Sequence, residues 1–357
     1  MIHDIAIVGA GMAGASIAAA IGPRASVVVL EGETVPGYHA TGRSAAFWSE
    51  TYGGPGIQPL TTASRPLLQK YLTPLGSLHI GRAQDAGKAD AFLRDFADTD
   101  VALERVDPAA YVPGLRDDWT IGVMEASCAY IDVAAFHLAE IARARQAGAM
   151  IITDASLRVA SRSGGVWTIA TNGGTVRSRI LVNAAGAWAD VVAVRAGARP
   201  LGLMAYRRTM AQLRTDPGAP KAMPHVIDFS GRFYFKPEPG GRVWLSPHDE
   251  TATDPCDAAP DELDVAIAID RFEGVVDWHV AAVERRWAGL RTFAADRLPV
   301  YGFDAAVPGF FWYAGQGGFG IQTAPTGALV AAALLLGTTP DEAIIGIDSE
   351  RYSPTRF

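Results

Sequence analysis

The feature that most constrains this chain lies near its start, where Ile5 to Val8 (IAIV) runs directly into Gly9-Ala10-Gly11-Met12-Ala13-Gly14. A fully apolar tetrapeptide suits a strand buried on both faces of a parallel sheet. Ala15 to Ile21 then has helical composition, and Val27 to Leu30 (VVVL) is a second buried strand that ends in Glu31. Strand, glycine turn, helix, strand and acid, in that order, make a dinucleotide-binding unit. Gly9 permits the tight turn, Gly11 lets the backbone approach a pyrophosphate, and Gly14 lets helix and strand pack closely. The helix N-terminus offers free N–H groups and partial positive charge to phosphates. Glu31 can accept hydrogen bonds from ribose hydroxyls, and its charge would repel a 2′-phosphate, which disfavours NADP. The turn alone does not separate FAD from NAD, and a glycine turn that binds nothing carries the same spacing.

Composition narrows the class. A length of 357 residues suggests about two domains. With 49% hydrophobic and 19% charged residues the chain can bury a large core. The net charge of −7 argues against a nucleic-acid partner. Cys128 and Cys256 lack a paired spacing and read as reduced, buried thiols. The seven histidines show no ligand spacing, so no metal site is expected. No Lys or Arg precedes the first apolar run, and Asp4 sits where a signal peptide would be basic. The later apolar stretch Ala328 to Leu336 is far short of the roughly 20 residues needed to cross a bilayer. The expectation is a cytoplasmic protein with no transmembrane segment, which leaves room for peripheral membrane contact.

Two further segments select FAD. PGYHATGRSAAFW, residues 36 to 48, is either an exposed loop or a run of small residues and backbone donors suited to a diphosphate and ribityl chain. His39 within it shapes that loop or packs against the backbone. Ala314 to Gly320 (AGQGGFG) is a second glycine turn, opening an Ala/Leu-rich helix whose N-terminus could stabilise negative charge on a reduced flavin. Phe310 to Tyr313 reads as a buried strand leading into it. Segments 76–125 and 206–285, with Pro breaks and alternating aromatics, suggest an antiparallel sheet, and Asp261 to Arg271 an amphipathic helix covering it. The fold expected is a two-domain α/β protein. Its Rossmann-like FAD-binding domain is built from 1–75, 126–205 and 286–357, and its mixed or antiparallel-sheet substrate domain from 76–125 and 206–285.

PGYHATGRSAA at 36–46, LVNAAGAWAD at 181–190, ARPLGL at 198–203, RFYFKP at 232–237, WAGLRTF at 287–293 and GQGGFGIQT at 315–323 run along most of the chain. With the N-terminal turn, they resemble the FAD-dependent D-amino-acid oxidase/dehydrogenase (DAO) family, and within it bacterial D-arginine dehydrogenases of broad D-amino-acid range. The resemblance implies cofactor contacts at Ala13, Glu31 and Gly32. It adds Ala40, Thr41, Gly42, Arg43, Ser44, Ala45, Ala46 and Phe47, a backbone contact near Ser156, and Gly317, Gly318, Phe319, Gly320, Ile321 and Gln322. It implies a substrate carboxylate held by Arg208 and Arg291, with Tyr52 and Tyr234 closing over it and Gln322 beside both flavin and substrate. Tyr52 and Tyr234 could equally be core or interface aromatics.

A pair of guanidinium groups suits a carboxylate, because it forms planar, charge-assisted bonds that orient the substrate. Arg291 lies among Trp287, Leu290 and Phe293, where an arginine needs an anion. Phe47 stands where the nearest relatives carry a histidine, and Ser77 where arginine-preferring members place an acid. The next acid is Asp85, and an unpaired guanidinium in a pocket costs several kcal/mol. A neutral, apolar or aromatic D-amino acid is therefore expected rather than D-arginine. The expected reaction is oxidative deamination to a 2-oxo acid and ammonia by hydride transfer to flavin N5, with oxygen, a quinone or another carrier as electron acceptor. Members of the family this chain resembles that attach flavin covalently do so through a His or Cys, and no Cys falls in the C-terminal segment, so FAD is expected to be non-covalent. The alternatives are a glycine/sarcosine-type oxidase of N-methyl amino acids and, in another class, a non-catalytic flavin-binding redox sensor.

Overall fold

The computed structural model describes residues 1–357, and its frame is two large sheets with a small third one. In the first, of eight strands, His3–Val8 lies between Val27–Leu30 and Gly174–Asn183 and is parallel to both. Met150–Ile152 extends the sheet on one side, and Leu157–Ser163 with Val166–Thr171 on the other. Phe310–Ala314 joins parallel to the end of Gly174–Asn183 and carries Val300–Phe303 antiparallel on its far side. The runs IAIV, VVVL and FFWYA are buried throughout, which is why they show no polar alternation. One face of this sheet packs on the helices Met12–Ile21 and Ala324–Leu336 through Ile5, Ile7, Ile17, Val29 and Ala331. The other buries Trp167, Val192 and Trp312.

The first helix begins at Met12, inside the glycine signature rather than after it at Ala15. Its first turn is therefore the glycine backbone itself. Gly9 has φ +99, and a Cβ there would stand 2.5 Å from the Ala184 carbonyl oxygen. A Cβ on Gly14 would stand 1.8 Å from the Gly9 carbonyl oxygen. Glycine is thus obligatory at both places, at the first for conformation and contact, at the second for contact.

The second sheet has ten strands, running Gln316–Gly317, His279–Phe293, Met204–Asp216, Arg242–Ser246, Tyr234–Glu238, His225–Asp228, Ser77–Gly81, Ile121–Glu125 and Leu103–Arg105, with Thr251–Ala252 beside Met204–Asp216. It is antiparallel except between His225–Asp228 and Ser77–Gly81. Those two strands lie far apart in the chain, so no hairpin sets their direction. His279–Phe293 continues past residue 285 to pair with Gln316–Gly317 at the glycine turn, and Met204–Asp216 begins at 204, opposite Phe293. Phe235, Phe272, Trp278 and Leu213 form the core beneath this sheet. The helix Glu262–Glu273 covers it, capped by Asp261, whose carboxylate accepts from Leu263 N at 2.9 Å.

Cys128 is buried as expected, but Cys256 is exposed. It belongs to an irregular segment after Thr251–Ala252 that crosses the surface before Asp261, so no element buries it. No helix is long and apolar enough to cross a membrane.

Gly14→Ala is expected to destabilise the protein by at least about 1–3 kcal/mol, as overpacking against backbone does. Chemical denaturation checks this, and an unchanged midpoint would contradict the packing described.

Candidate active site

Between the two sheets runs an open cleft of about 370 Å³. Arg208, Arg291, Tyr52, Tyr234 and Gln322 all line it, as do all the expected cofactor residues except Gly14, Gly42 and Phe319. Those three support the wall instead. Gly14 packs on Gly9, a Cβ on Gly42 would lie 2.9 Å from the Gly37 carbonyl oxygen, and Phe319 packs under Tyr52 with Ile57 and Phe293.

At one end of the cleft Glu31 is pinned by backbone donors. Its Oε2 accepts from Ala10 N at 2.6 Å and its Oε1 from Glu33 N at 3.0 Å. Each oxygen keeps a further lone pair for a hydroxyl donor. Gly32 lies so close to Ser156 that a Cβ would meet its Oγ at 2.9 Å. Thr41 Oγ1 accepts from Met12 N at 2.9 Å and ties the 36–48 segment to the helix start. His39 bonds Glu33 at 2.9 Å and leans on Trp188, shaping the same loop. At the other end, a Cβ on Gly318 would lie 2.5 Å from the Tyr52 hydroxyl and 3.1 Å from Arg291 Nη1. A long cleft, with an acid and a helix start at one end and bare glycine backbone at the other, fits an extended dinucleotide such as FAD.

Arg43 lines the cleft with its stem, but its guanidinium is taken. It pairs with the Asp257 carboxylate and donates to the carbonyls of Ala258 at 2.9 Å and Ala288 at 3.1 Å. It fastens the segment around Cys256, which also borders the cleft. Gln322 is likewise committed: Nε2 donates to Tyr52 O at 3.1 Å and Thr61 Oγ1 at 2.8 Å, and Oε1 accepts from Ser49 N at 3.3 Å. Its amide holds the Tyr52 loop while the residue lines the cleft.

The arginines come together through strand register. Arg208 pairs with Gly289 and Tyr206 with Arg291, so both guanidiniums leave the same face of the sheet. Arg208 is 5% exposed; its Nε donates to Asp249 O at 2.9 Å, yet Nη1 and Nη2 have no partner. Arg291 donates from Nη1 to the Tyr52 hydroxyl at 3.3 Å and from Nη2 to Glu250 Oε1 at 2.7 Å, leaving Nε unpartnered. Burial, and then the charge of Arg291, pull Arg208 below the ordinary arginine range. Burial works against charge on Arg291 as well, but Tyr52 and Glu250 outweigh it. Burial, helped by both arginine charges, depresses His248 to about 3. Burial also raises the Tyr234 hydroxyl against the pull of Arg208. The two guanidiniums are thus buried and positively charged at the cleft wall, an arrangement that binds an anion.

Beside the arginines the wall is apolar. Phe47 lies 5.0 Å from the Tyr52 ring and 6.1 Å from the Tyr234 ring, and Met210 Sδ accepts from the Tyr234 hydroxyl at 3.1 Å. Ser77 does not line the cleft. It is wholly buried next to His225, whose ring Phe47 covers at 4.5 Å. Glu250, Met210 and Asp257 were not visible as site residues in the sequence. Met210 alone carried a signal, being two places along the strand from Arg208 and so on its face.

Residues 4–334 match the model of a family described as FAD dependent oxidoreductase (DAO). Among solved structures, L-proline dehydrogenase from P. horikoshii is similar with a TM-score of 0.85 at 20% identity, over 100% of this chain and 98% of that one. Glycine oxidase from Geobacillus kaustophilus gives 0.84 at 22% identity, over 99% of each chain. L-alpha-glycerophosphate oxidase from Mycoplasma pneumoniae with FAD bound gives 0.84 at 16% identity, over 95% of this chain and 96% of that one. At these identities the likeness is one of fold.

Of the two thiols only Cys256 is expected to react with a maleimide, and FAD is expected to slow that reaction several-fold. Equal labelling rates with and without FAD would contradict the placing of this segment at the cofactor cleft.

Proposed function

The chain belongs to the DAO family of FAD-dependent oxidoreductases, and from that premise we propose that it oxidatively deaminates a D-amino acid with a neutral, apolar side chain. The observation that carries this reading is the buried Arg208 guanidinium with two unpartnered nitrogens, facing the cleft beside Arg291. A carboxylate would satisfy both nitrogens and offset the excess charge. Tyr52 and Tyr234 would close over it, and Phe47 and Met210 would receive an apolar side chain. Holding the carboxylate fixes Cα toward the bare glycine backbone at Gly317 and Gly318. Bound FAD supplies the acceptor for two electrons. The amino acid loses two electrons and two protons across Cα–N. Water then adds to the imino acid, ammonia leaves, and a 2-oxo acid remains. D-stereochemistry is supported by the sequence resemblance, and the neutral side chain by Phe47 and Met210.

Two experiments test this. Anaerobic mixing of FAD-loaded protein with D- and L-amino acids should bleach the flavin absorbance fastest with D-phenylalanine, D-methionine or D-leucine, and slowly with D-arginine. Bleaching by L-amino acids or N-methyl amino acids in preference would overturn the substrate assignment. No bleaching by any amine would instead mark a flavin protein without this turnover. Separately, Arg291→Met should raise KM and lower kcat/KM at least tenfold, about 1.4 kcal/mol or more. Kinetics near wild type would remove the clamp.

A further inference from the structure

A carboxylate of the protein already stands at the mouth of the arginine pair. Glu250 Oε1 lies 2.7 Å from Arg291 Nη2, 2.7 Å from Arg297 Nη2 and 3.6 Å from Arg208 Nη2. Its Oε2 accepts from Arg297 Nη1 at 3.3 Å. The side chains of Arg208 and Arg291 are 6% and 12% exposed, whereas Arg297 is 47% exposed. Glu250 therefore links two buried cations to an outer one. Arg297 has its own anchor, with its guanidinium 3.9 Å from the Phe293 ring centroid and its backbone at φ +64. Asp249 is turned toward Thr209, accepting from its N at 2.7 Å and its Oγ1 at 3.0 Å, and reaches Arg208 only at Nε, 3.8 Å away.

We propose that Glu250 is a specificity-determining residue, a resident counter-ion that makes the site accept one carboxylate and reject a second. The inference rests on the carboxylate-clamp reading. An incoming carboxylate finds two free nitrogens on Arg208 but must share Arg291 with Glu250. Glu250 has a second partner in Arg297, so it can turn outward without losing its counter-charge. Arg207, 3.9 Å from Asp249, is itself paired with Asp264 at 2.7 Å, so with the ligand bound three guanidiniums (Arg208, Arg291, Arg297) face three carboxylates (Glu250, Asp249 and the ligand). The charges then balance, and a second ligand carboxylate meets an acid with no cation to spare. Amino acids with acidic side chains are excluded by this balance.

Butyrate and glutarate differ by one carboxylate and test the idea directly, with binding to FAD-loaded protein followed by flavin absorbance and by calorimetry. Glu250→Gln should tighten butyrate binding several-fold and improve glutarate relative to butyrate by about tenfold. Glu250→Asp, which keeps the charge, should retain the wild-type ratio. In the Arg291→Met background the gain from Glu250→Gln should vanish, as coupled neighbours require. An unchanged glutarate-to-butyrate ratio in Glu250→Gln, or weaker binding of both, would overturn the proposal. The clamp reading fails separately, if Arg291→Met alone leaves butyrate binding unaltered. Flavin content and the unfolding midpoint report whether each variant is folded.

Discussion

The antiparallel pairing of Met204–Asp216 with His279–Phe293 sets Arg208 opposite Gly289 and Arg291 opposite Tyr206. That register puts two cations on one face at the end of the sheet nearest the cofactor cleft. Arg208 is almost wholly buried there, and its terminal nitrogens make no hydrogen bond within the protein, Glu250 coming no closer than 3.6 Å. A buried, half-satisfied charge is unfavourable, and a folded protein keeps one where a ligand completes it. The surroundings follow from that charge. His248 is held neutral beside it, the Tyr234 ring lies 5.8 Å from its guanidinium, and Glu250 offsets part of it from the rim.

The same strands tie this site to the nucleotide cleft. His279–Phe293 ends against Gln316–Gly317, so the Arg291 side chain and the second glycine turn meet at Gly318. The first sheet supplies the opposite end, where Glu31 and the start of Met12–Ile21 face the same cleft. Arg43 fastens the two halves by holding the segment around Asp257 against the 36–48 loop. One elongated ligand in this cleft, such as FAD, would touch both sheets.

Local chemistry made much of this legible before the fold was known. IAIV, VVVL and the spacing of Gly9, Gly11 and Gly14 announce a buried parallel strand pair with a phosphate-facing turn, because those features lie within thirty residues of each other. The arginines were legible through motif resemblance, and their convergence becomes physical only through register. Glu250 escaped because it sits in an irregular stretch after Arg242–Ser246 and meets Arg291 from 41 residues away. Asp257 escaped for the same reason, meeting Arg43 across more than two hundred residues. Ser77 drew weight as a missing pocket acid, yet Phe47 and His225 stand between it and the cleft. Cys256 was expected inside by residue type alone, which carries no information about an irregular surface segment.

Arg208 keeps Nη1 and Nη2 without a hydrogen-bond partner, open to a carboxylate, and the stability such a ligand adds can be measured. Denaturation midpoints of FAD-loaded wild type and Arg208→Met are compared with and without butyrate. Wild type should gain about 2.7 kcal/mol at a concentration one hundred times the dissociation constant. Arg208→Met removes the two nitrogens that lack a hydrogen-bond partner and should gain little or nothing from the carboxylate. An Arg208→Met variant stabilised by butyrate to the same extent as wild type would contradict a carboxylate site at Arg208.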